Sequence, residues 1–359
     1  MNKKSLDIFI GCASMKLVDA MRKIDDNVRG ILFIVDTDER LIGSLSDGDV
    51  RRWLIKTGNL EADVSEAMNR KPKFLYSAEK KNAKSYMKKE KLDAIPILDT
   101  NKRMCDIVFE DDLEVVIDSK ENNSLSDVPV VIMAGGKGTR LYPYTKILPK
   151  PLIPIGDVPI LERIIKKFCE YGATQYYLTV NYKKGMIKSH FQELNPEYSV
   201  KYIEEDEPLG TGGSLRLIED KFDIPIFVTN CDTLIDADYR DIYQYHKESG
   251  NAMTMVSALK NIVVPYGVIN FTEGGVITEM KEKPHLSYFI NTGMYVINPD
   301  MINKIPNDTF FHMTDLAEKL MSEGYRVGMY PVSEDSFLDM GEFEEMRRME
   351  QKLNISKME

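Results

Sequence analysis

The stretch VVIMAGGKGTRLYPYTKILPKPLIPIG, residues 130–156, begins as an apolar run and then becomes a loop rich in glycine, cations and proline. A run of this kind is typical of a buried strand. The glycines that follow let backbone N–H groups approach an anion with no Cβ in the way. The stretch therefore predicts a phosphate-binding loop at the end of a strand.

Two common phosphate-binding motifs do not match this loop. A P-loop requires G-x-x-x-x-G-K-[ST], which residues 135–140 do not supply. A dinucleotide fingerprint starting at Gly136 would end at Leu141, where close packing of a helix requires glycine. The loop therefore indicates another class of nucleotide site.

Strands and helices alternate after the loop. The segment ILERIIKKFCEYG places Leu161, Ile165, Phe168 and Cys169 on one helical face, and QYYLTV and IFVTN have the pattern of buried strands. Such alternation predicts an α/β domain with a mostly parallel sheet, helices on both faces and ligands at the carboxyl ends of the strands.

Two segments before the loop are similar to each other at an offset of about 63 residues. The aligned pairs are Asp36 with Asp99, Thr37 with Thr100, Arg40 with Arg103 and Asp49 with Asp112. Two copies predict one pseudo-symmetric α+β domain, because a solenoid requires about three units or more. We expect this domain to span residues 1–120, with a polar linker at 121–128 and the α/β domain at 129–359.

The motif GSLSDGDVRR, residues 43–52, resembles the nucleotide-binding pattern of the cystathionine-β-synthase (CBS) family. In that family the positions of Ser46 and Asp49 contact the phosphate and ribose of a nucleotide. The second copy keeps Asp112 but has Phe109 and Asp106 in place of the hydroxyl and the glycine. The resemblance implies a CBS pair that either binds an adenine or guanine nucleotide or only mediates contacts in a homodimer.

Composition narrows the possible partners. The net charge of −10 argues against a surface built broadly for nucleic acid or for anionic membranes. The four cysteines show no metal-ligand spacing, and no segment approaches the roughly 20 apolar residues of a membrane helix. We therefore expect a cytoplasmic protein that captures its anionic ligands at a local site.

AGGKGTRLYP followed by LPKPLIPI resembles the sugar nucleotidyltransferase signature, G-G-x-G-[ST]-R-[LM]-x-P-x-[ST]-x-x-x-x-K-P. The resemblance implies a Rossmann-like, GT-A-like fold preceded by the CBS pair, and a loop that binds a nucleoside triphosphate. The loop residues are Ala134, Gly135, Gly136, Lys137, Gly138 and Thr139. By the same resemblance, Arg140 and Lys150 are the catalytic cations, since both can neutralise phosphate oxygens.

The segment YIEEDEPLGTGGSL resembles the base-binding segment of this family, with Gly210 and Thr211 around the nucleoside and Glu205 at the position that reads the base. An ionised carboxylate only accepts hydrogen bonds, and guanine presents N1–H and N2–H side by side. Members that act on uridine or thymidine nucleotides tend to have Gln there. Glu205 therefore favours GTP.

Two acids follow separate predicted strands. Asp232 ends IFVTNCD where the family usually reads GD, so that Cys231 replaces a glycine, and Asp339 lies in SFLDMGEF. By resemblance these acids are catalytic residues that act as the metal ligands. Two carboxylates that face phosphate oxygens suit Mg²⁺, a hard ion that prefers oxygen ligands.

The segments PYGVINF, EMKEKP and INTGMYVINP resemble the family's sugar-phosphate site. Lys283 is implied to pair with the phosphate of the sugar and to act as a catalytic residue. The residues implied to line the sugar are Tyr266, Gly267, Glu282, Asn291 and Thr292.

The resulting hypothesis is in-line attack of a sugar 1-phosphate on the α-phosphorus of GTP, which gives a GDP-sugar and pyrophosphate. No general base is required, and we expect the four histidines to be surface or packing residues. The combination of domains resembles bacterial glucosamine-1-phosphate guanylyltransferases of the legionaminic acid route. The alternatives are a mannose-1-phosphate or manno-heptose-1-phosphate guanylyltransferase, and a non-catalytic regulator that binds a nucleotide-sugar.

Overall fold

A computed structural model describes residues 6–27, 29–110 and 123–352. The chain divides into two compact units. The first combines the described residues up to 110 with Leu259–Phe289 and Pro331–Asp335, and the second comprises the other described residues. Asp112 and the start of the predicted linker lie outside the described residues.

The first unit contains the repeat as two three-stranded sheets of the same topology, in which the middle strand pairs in parallel with one neighbour and antiparallel with the other. The first copy comprises β1 (Ile10–Cys12), α1 (Leu17–Asn27), β2 (Ile31–Val35), β3 (Leu41–Ser46), α2 (Asp47–Thr57) and α3 (Val64–Ala67). The second copy comprises β4 (Leu75–Tyr76), α4 (Ala83–Glu90), β5 (Ala94–Leu98) and β6 (Met104–Phe109).

The aligned aspartates of the repeat form the same turn in both copies. Oδ1 of Asp36 accepts hydrogen bonds from the N–H groups of Asp38 and Arg40, each at 2.9 Å. Oδ1 of Asp99 accepts from the equivalent N–H groups of residues 101 and 103, at 2.8 and 2.9 Å. Side-chain bonds of this kind fix tight turns between strands, so the sequence repeat is confirmed as a structural repeat.

Helix α1 is amphipathic. Its buried residues include Leu17, Ala20, Met21 and Ile24, which follow the i, i+3, i+4, i+7 spacing of a single face. They pack with the buried strand residues of the first copy in one apolar cluster, and this cluster also includes Leu259. The first copy thus shares its core with a segment far along the chain.

From residue 123 onward the chain alternates between strands and helices. The strands are β7 (Val130–Met133), β8 (Pro154–Ile155), β9 (Val158–Pro159), β10 (Gln175–Val180), β11 (Ser199–Glu204), β12 (Ile226–Asn230), β13 (Thr233–Ile235), β14 (Met253–Val263), β15 (Val268–Thr272), β16 (Val276–Lys281), β17 (His285–Ile297), β18 (Val327–Val332) and β19 (Phe337–Asp339). The helices are α5 (Tyr144–Ile147), α6 (Ile160–Cys169), α7 (Lys184–Leu194), α8 (Tyr239–Ser249), α9 (Met313–Ser322) and α10 (Phe343–Lys352).

The second unit is built on a seven-stranded sheet of order β11-β10-β7-β12-β17-β14-β18. Strands β11, β10, β7 and β12 are parallel, and β17 pairs antiparallel with β12. This is the mostly parallel mixed sheet that the sequence predicts. Every residue of β7 is buried, so the loop that follows β7 begins at the carboxyl edge of a central strand.

Helix α6 packs on the sheet as its sequence predicts. Leu161, Ile165 and Phe168 are fully buried and Cys169 is half-buried. The ring of Phe168 contacts that of Phe227 in β12, with ring centroids 5.1 Å apart.

A hairpin of β15 and β16 belongs to the first unit. Four of its exposed apolar side chains are cross-strand partners, since Ile269 pairs with Met280 and Phe271 pairs with Ile277. Across the described residues, no helix combines the length and the apolar character that crossing a membrane would require.

Candidate active site

Packing and hydrogen bonds constrain the backbone of the glycine loop after β7. The N–H of Ala134 donates to the carbonyl of Thr179 at 2.9 Å, which extends the β7–β10 pairing by one residue. Gly138 adopts a φ of +63°, and a Cβ there would lie 2.9 Å from side-chain atoms of Thr145 and Lys150. Gly136 has open space around it. The loop is therefore packed at Gly138 and accessible at Gly136.

Glu205 lies directly beside the loop. A Cβ on Gly135 would be 2.8 Å from Oε1 of Glu205, so a larger residue at 135 would force the carboxylate of Glu205 to shift. Glu205 is 4% exposed, and its Oε2 accepts a hydrogen bond from the N–H of Leu209 at 3.2 Å. Burial raises the pKa of this carboxyl, and the Leu209 N–H opposes the shift. The residue predicted to read the base is thus a buried acceptor next to the predicted phosphate loop.

The GTGG segment packs against the start of α9. A Cβ on Gly210, which has a φ of +79°, would lie 2.7 Å from the carbonyl oxygen of Phe311. Oγ1 of Thr211 accepts from the N–H of Met313 at 3.1 Å, and the N–H of Thr211 donates to Nδ1 of His312 at 3.4 Å. Thr211 therefore satisfies an N–H at the helix start, where no intrahelical partner exists.

His312 has a role that sequence reasoning missed. Its side chain contacts Thr211, and its own N–H donates to Asp315 at 2.7 Å. His312 and Asp315 have the spacing of a capping box. In that motif an acid at the third helical residue accepts a hydrogen bond from the backbone N–H of the capping residue. The pattern HMTD could have indicated this helix start. The contact of His312 with Thr211, about a hundred residues away, cannot be predicted from neighbouring residues.

A short antiparallel ladder brings the two predicted metal acids together. Strands β13 and β19 pair with Thr233 opposite Asp339, and the N–H of Met340 donates to the carbonyl of Asp232 at 2.9 Å. Asp232 and Asp339 are both half-buried. Burial raises the pKa of Asp339, and the charge of Asp232 raises it further, while Lys150 and Arg140 lower it. The acids are therefore close enough to repel each other.

Both predicted cations lie at this acidic pair. Nζ of Lys150, a residue that is only 7% exposed, donates to Oδ2 of Asp232 in an ion pair. A Cβ on Gly341 would lie 2.9 Å from Oδ2 of Asp339 and 3.3 Å from Nη1 of Arg140, so these two groups flank the same glycine. Four of the five predicted catalytic residues thus form one cluster.

The donor set fits a hard divalent cation that keeps part of its shell for substrate. Asp232 and Asp339 supply carboxylate oxygens, and mutual repulsion of their charges favours a cation between them. In the portions of the chain that the structure describes, no group of three or more His, Cys, Asp or Glu side chains forms a complete metal cage. A two-carboxylate site suits a metal that also takes water and phosphate ligands.

Cys231 replaces the family's usual glycine without separating the acids. Its side chain is buried, and burial raises the pKa of the thiol to about 12, with Asp232 as the next cause. Cys231 therefore stays a neutral thiol, which behaves in packing as a small apolar group.

Four of the predicted sugar-side residues meet at the open end of the β15–β16 hairpin in the first unit. Tyr266 and Gly267 precede β15, whereas Glu282 and Lys283 follow β16. A Cβ on Gly267 would lie 3.1 Å from Oε2 of Glu282. We call Tyr266, Gly267, Glu282 and Lys283 the sugar-side residues.

Asn291 and Thr292 lie in β17 within the second unit, and their side chains have partners there. Oγ1 of Thr292, which is buried, donates to the carbonyl of Val256 at 2.8 Å. Nδ2 of Asn291 donates to the hydroxyl of Tyr295 at 2.7 Å, and its Oδ1 accepts from the N–H of Gly293. Thr292 therefore stabilises the strand, and Asn291 keeps an exposed position.

Ser46 and Asp49 form the N-terminal capping box of α2. The N–H of Ser46 donates to Oδ2 of Asp49 at 2.9 Å, and the N–H of Asp49 donates to Oγ of Ser46 at 3.3 Å. Nη2 of Arg52 also pairs with Asp49 at 2.6 Å. The two residues predicted to bind a nucleotide in the CBS pair thus contact each other at a helix start, where backbone N–H groups also favour anions.

Comparison with known proteins agrees with this arrangement. A profile of the nucleotidyl transferase family matches residues 129–355, and a profile of the CBS domain matches residues 12–56. The mannose-1-phosphate guanyltransferases of Debaryomyces hansenii and Candida albicans are 37% and 36% identical over 184 residues, or 49% of this chain and 51% of each relative. The chain therefore spans about half the length of these curated relatives.

A solved structure is also similar to part of the chain. The crystal structure of HddC from Yersinia pseudotuberculosis is 26% identical, with a TM-score of 0.50, and the match covers 63% of this chain and 99% of HddC. The matched family profile includes the glycine loop, Glu205 and both acids of the cluster. The chain belongs to the nucleotidyl transferase family and carries a CBS domain in its N-terminal part.

Proposed function

We propose that the protein is a sugar-1-phosphate guanylyltransferase, which converts GTP and a sugar 1-phosphate into a GDP-sugar and pyrophosphate. The observation that carries the proposal is the single cluster of Arg140, Lys150, Asp232 and Asp339 next to a packed glycine loop. The names of the curated relatives support the reaction class.

The residues of the cluster suit a reaction between two polyanions. The phosphate of the sugar has a second pKa of about 6 and attacks as a dianion, so no general base is required. Packing against Gly138 and pairing with Asp232 hold Lys150 in place, and exposed Arg140 presents its planar guanidinium to phosphate oxygens. These cations neutralise charge that develops on the departing pyrophosphate. Asp232 and Asp339 would hold Mg²⁺, which adds further neutralisation of phosphate oxygens when it is bound.

Glu205 supports guanine as the base. It is the buried acid of an otherwise exposed acidic run, and Oε1 lies against the loop at Gly135. A buried carboxylate can accept hydrogen bonds from the two adjacent N–H groups of guanine. It disfavours a base without two adjacent N–H groups, because the carboxylate oxygens would then remain without partners.

Glucosamine 1-phosphate is our first choice of sugar, for GDP-sugar precursors of legionaminic acid or related surface glycans. The combination of a CBS domain with a nucleotidyl transferase domain supports this choice. Mannose 1-phosphate is the second candidate because the curated relatives are named for it, and manno-heptose 1-phosphate is the third. We also propose a cytoplasmic homodimer in which residues 1–120 form a regulatory or dimerisation module.

Pyrophosphate release tests the proposal. GTP, ATP, UTP and dTTP are each combined with the three sugar 1-phosphates and Mg²⁺, and products are identified by mass spectrometry. We expect the highest rate with GTP and glucosamine 1-phosphate. The highest rate with mannose 1-phosphate would select the second candidate, and equal use of UTP would contradict the role of Glu205. If no substrate pair releases pyrophosphate, the enzyme hypothesis fails and the remaining hypothesis is a non-catalytic regulator that binds a nucleotide-sugar.

A further inference from the structure

Arg22, on helix α1 of the first unit, contacts both strands at the base of the hairpin. Its Nε donates to Oδ1 of Asn261 in β14 at 3.2 Å, and its Nη2 donates to Oγ of Ser287 in β17 at 2.8 Å. Oγ of Ser287 in turn donates to Oδ1 of Asn261 at 2.7 Å. A single guanidinium therefore connects α1 with the two strands that lead into and out of the hairpin.

The groups around Arg22 hold this contact in a defined geometry. Nη1 of Arg22 pairs with Asp19, one turn earlier on α1, at 2.8 Å. The N–H of Asn261 donates to Oε2 of Glu334 at 3.0 Å, and Nζ of Lys260 pairs with Glu334 at 2.8 Å. The guanidinium is rigid and planar, so its three bonded partners fix its orientation.

Apolar packing surrounds the polar contact. Leu259 is fully buried in the cluster that α1 forms with β2 and β3, and Phe289 packs against the same cluster. Residues 259 and 289 lie on the two strands that carry Asn261 and Ser287. The base of the hairpin is therefore part of the core of the first unit, and the hydrogen bonds of Arg22 are not an isolated surface interaction.

The hairpin beyond this base has little support of its own. Phe271 is 71% exposed and Met280 is 68% exposed. A two-stranded hairpin alone is only marginally stable in water. The orientation of this hairpin consequently depends on its base, where Arg22 is bound.

We propose that Arg22 is a positioning residue for the sugar-phosphate site, and that the N-terminal part of the chain sets the affinity for the sugar 1-phosphate through it. The sugar-side residues lie between the hairpin strands and the base that Arg22 connects. This inference rests on the proposed function. By linkage, a ligand that shifts α1 changes the affinity for the sugar, and the sugar changes the affinity for that ligand by the same factor.

The kinetic test compares Arg22→Met with Lys16→Met. Lys16 forms an ion pair with Asp63 within the N-terminal part of the chain and is a matched control, since its loss removes a cation but no hairpin contact. We expect Arg22→Met to raise KM for the sugar 1-phosphate about tenfold, with KM for GTP and kcat within about twofold of wild type. Arg22→Lys should restore part of the affinity. Equal rises in both KM values, or no change, would overturn the proposal.

A second measurement does not require turnover, so it separates this inference from the proposed function. In hydrogen–deuterium exchange on the full chain, residues 264–284 should exchange faster in Arg22→Met than in wild type or Lys16→Met. The same exchange in all three proteins would overturn the proposal, even if the enzyme is active. If residues 264–284 exchange faster but no substrate pair reacts, Arg22 still orders the hairpin and the guanylyltransferase reaction fails.

A double-mutant cycle with Ser287→Ala tests the contact itself. If Arg22 acts through Ser287 and Asn261, the combined variant should raise KM for the sugar no more than Arg22→Met alone. Fully additive effects would show that Arg22 acts by another route.

Discussion

Lys150 shows how strongly the site constrains a single residue. Lysine is rarely this buried unless it is paired, and here its partner is the carboxylate of Asp232. Loss of either member would leave the other charge without compensation in a partly dry environment. The ion pair therefore holds Lys150, the proposed phosphate-binding cation, beside the two acids proposed to bind the metal.

Asp232→Asn should abolish most turnover while leaving the fold intact. Asparagine keeps an oxygen that can accept from Lys150 but removes the negative charge that, in our proposal, holds a divalent cation. We expect kcat to fall by about 10²- to 10³-fold, comparable to the loss of one electrostatic group in other active sites. The measurement is pyrophosphate release together with circular dichroism.

The control for this variant is Asp236→Asn, because Asp236 is an exposed acid in the same region. It should retain wild-type turnover. Activity of Asp232→Asn within about tenfold of wild type would remove Asp232 from the metal site.

Glu205→Gln should weaken the preference for GTP. The amide can still accept from Leu209 but would face a guanine N–H with its own NH₂ group. We expect kcat/KM for GTP to fall by about 10- to 100-fold, with a smaller change for UTP. Steady-state kinetics with both nucleotides measure the ratio.

Glu204→Gln is the matched control for the nucleotide preference. Glu204 is the exposed neighbour that pairs with Lys184 and Lys188, so this variant should keep the wild-type ratio of GTP to UTP. A shift of that ratio in both variants would point to the overall charge of the acidic run rather than to Glu205.

Among the structural elements, the glycine loop requires glycine at one position more strictly than at another. Gly138→Ala places a Cβ at a φ of +63° and 2.9 Å from Thr145 and Lys150, whereas Gly136→Ala meets open space. We expect Gly138→Ala to lower the free energy of unfolding by about 2 kcal/mol and to raise KM for GTP. Urea denaturation and kinetics check both effects.

Gly136→Ala should leave the free energy of unfolding nearly unchanged. Any increase in KM for GTP would then report the approach of a nucleotide to the backbone at Gly136. Equal destabilisation by the two alanines would contradict the steric account of the loop.

Local pattern was sufficient to predict the glycine loop and the alternating elements, because each depends on residues close in sequence. The ladder of β13 with β19 is different. Nothing in the strand sequences TLI and FLD specifies that Thr233 pairs with Asp339. The expectation that both acids bind one metal came only from the family resemblance. The contact of Thr211 with His312 was missed for the same reason.

For the whole molecule, the sequence predicts the order of the α+β and α/β parts, and the sheet topology confirms the fold class. It does not indicate that residues 259–289 share a core with helix α1. Leu259 and Phe289 lie in β14 and β17, and the apolar character of a strand does not reveal which part of the protein covers it.

The free energy of unfolding should fall as pH rises between about 4 and 7. Burial, which is the largest cause, and repulsion from the charges of Asp47, Asp335, Glu334 and Asp26 together raise the pKa of Asp25 to about 7. The unfolded chain releases the Asp25 proton near pH 4, whereas the folded state keeps it until about pH 7. This difference stabilises the folded state below about pH 4, and the stabilisation is lost as pH rises from about 4 to about 7.

Asp25→Asn should flatten this slope, because asparagine cannot ionise. At pH 8 we expect it to be more stable than wild type by on the order of 1 kcal/mol, allowing for partial exposure to water. At pH 4 the two should be equal. Urea denaturation at both pH values is the measurement. Exposed Asp38→Asn is the control, and parallel slopes for wild type and Asp25→Asn would contradict the prediction.

The β13–β19 ladder also has a consequence for synthesis on the ribosome. Asp232 emerges about a hundred residues before Asp339, and the glycine loop and Lys150 emerge about two hundred residues before it. At about 5–20 residues per second, a nascent chain passes several seconds with the proposed nucleotide-binding loop but without Asp339, the second acid proposed to bind the metal. If the proposed function holds, translation products that end before Asp339 should not turn over substrate, so completion of the β13–β19 ladder would set when the chain becomes active.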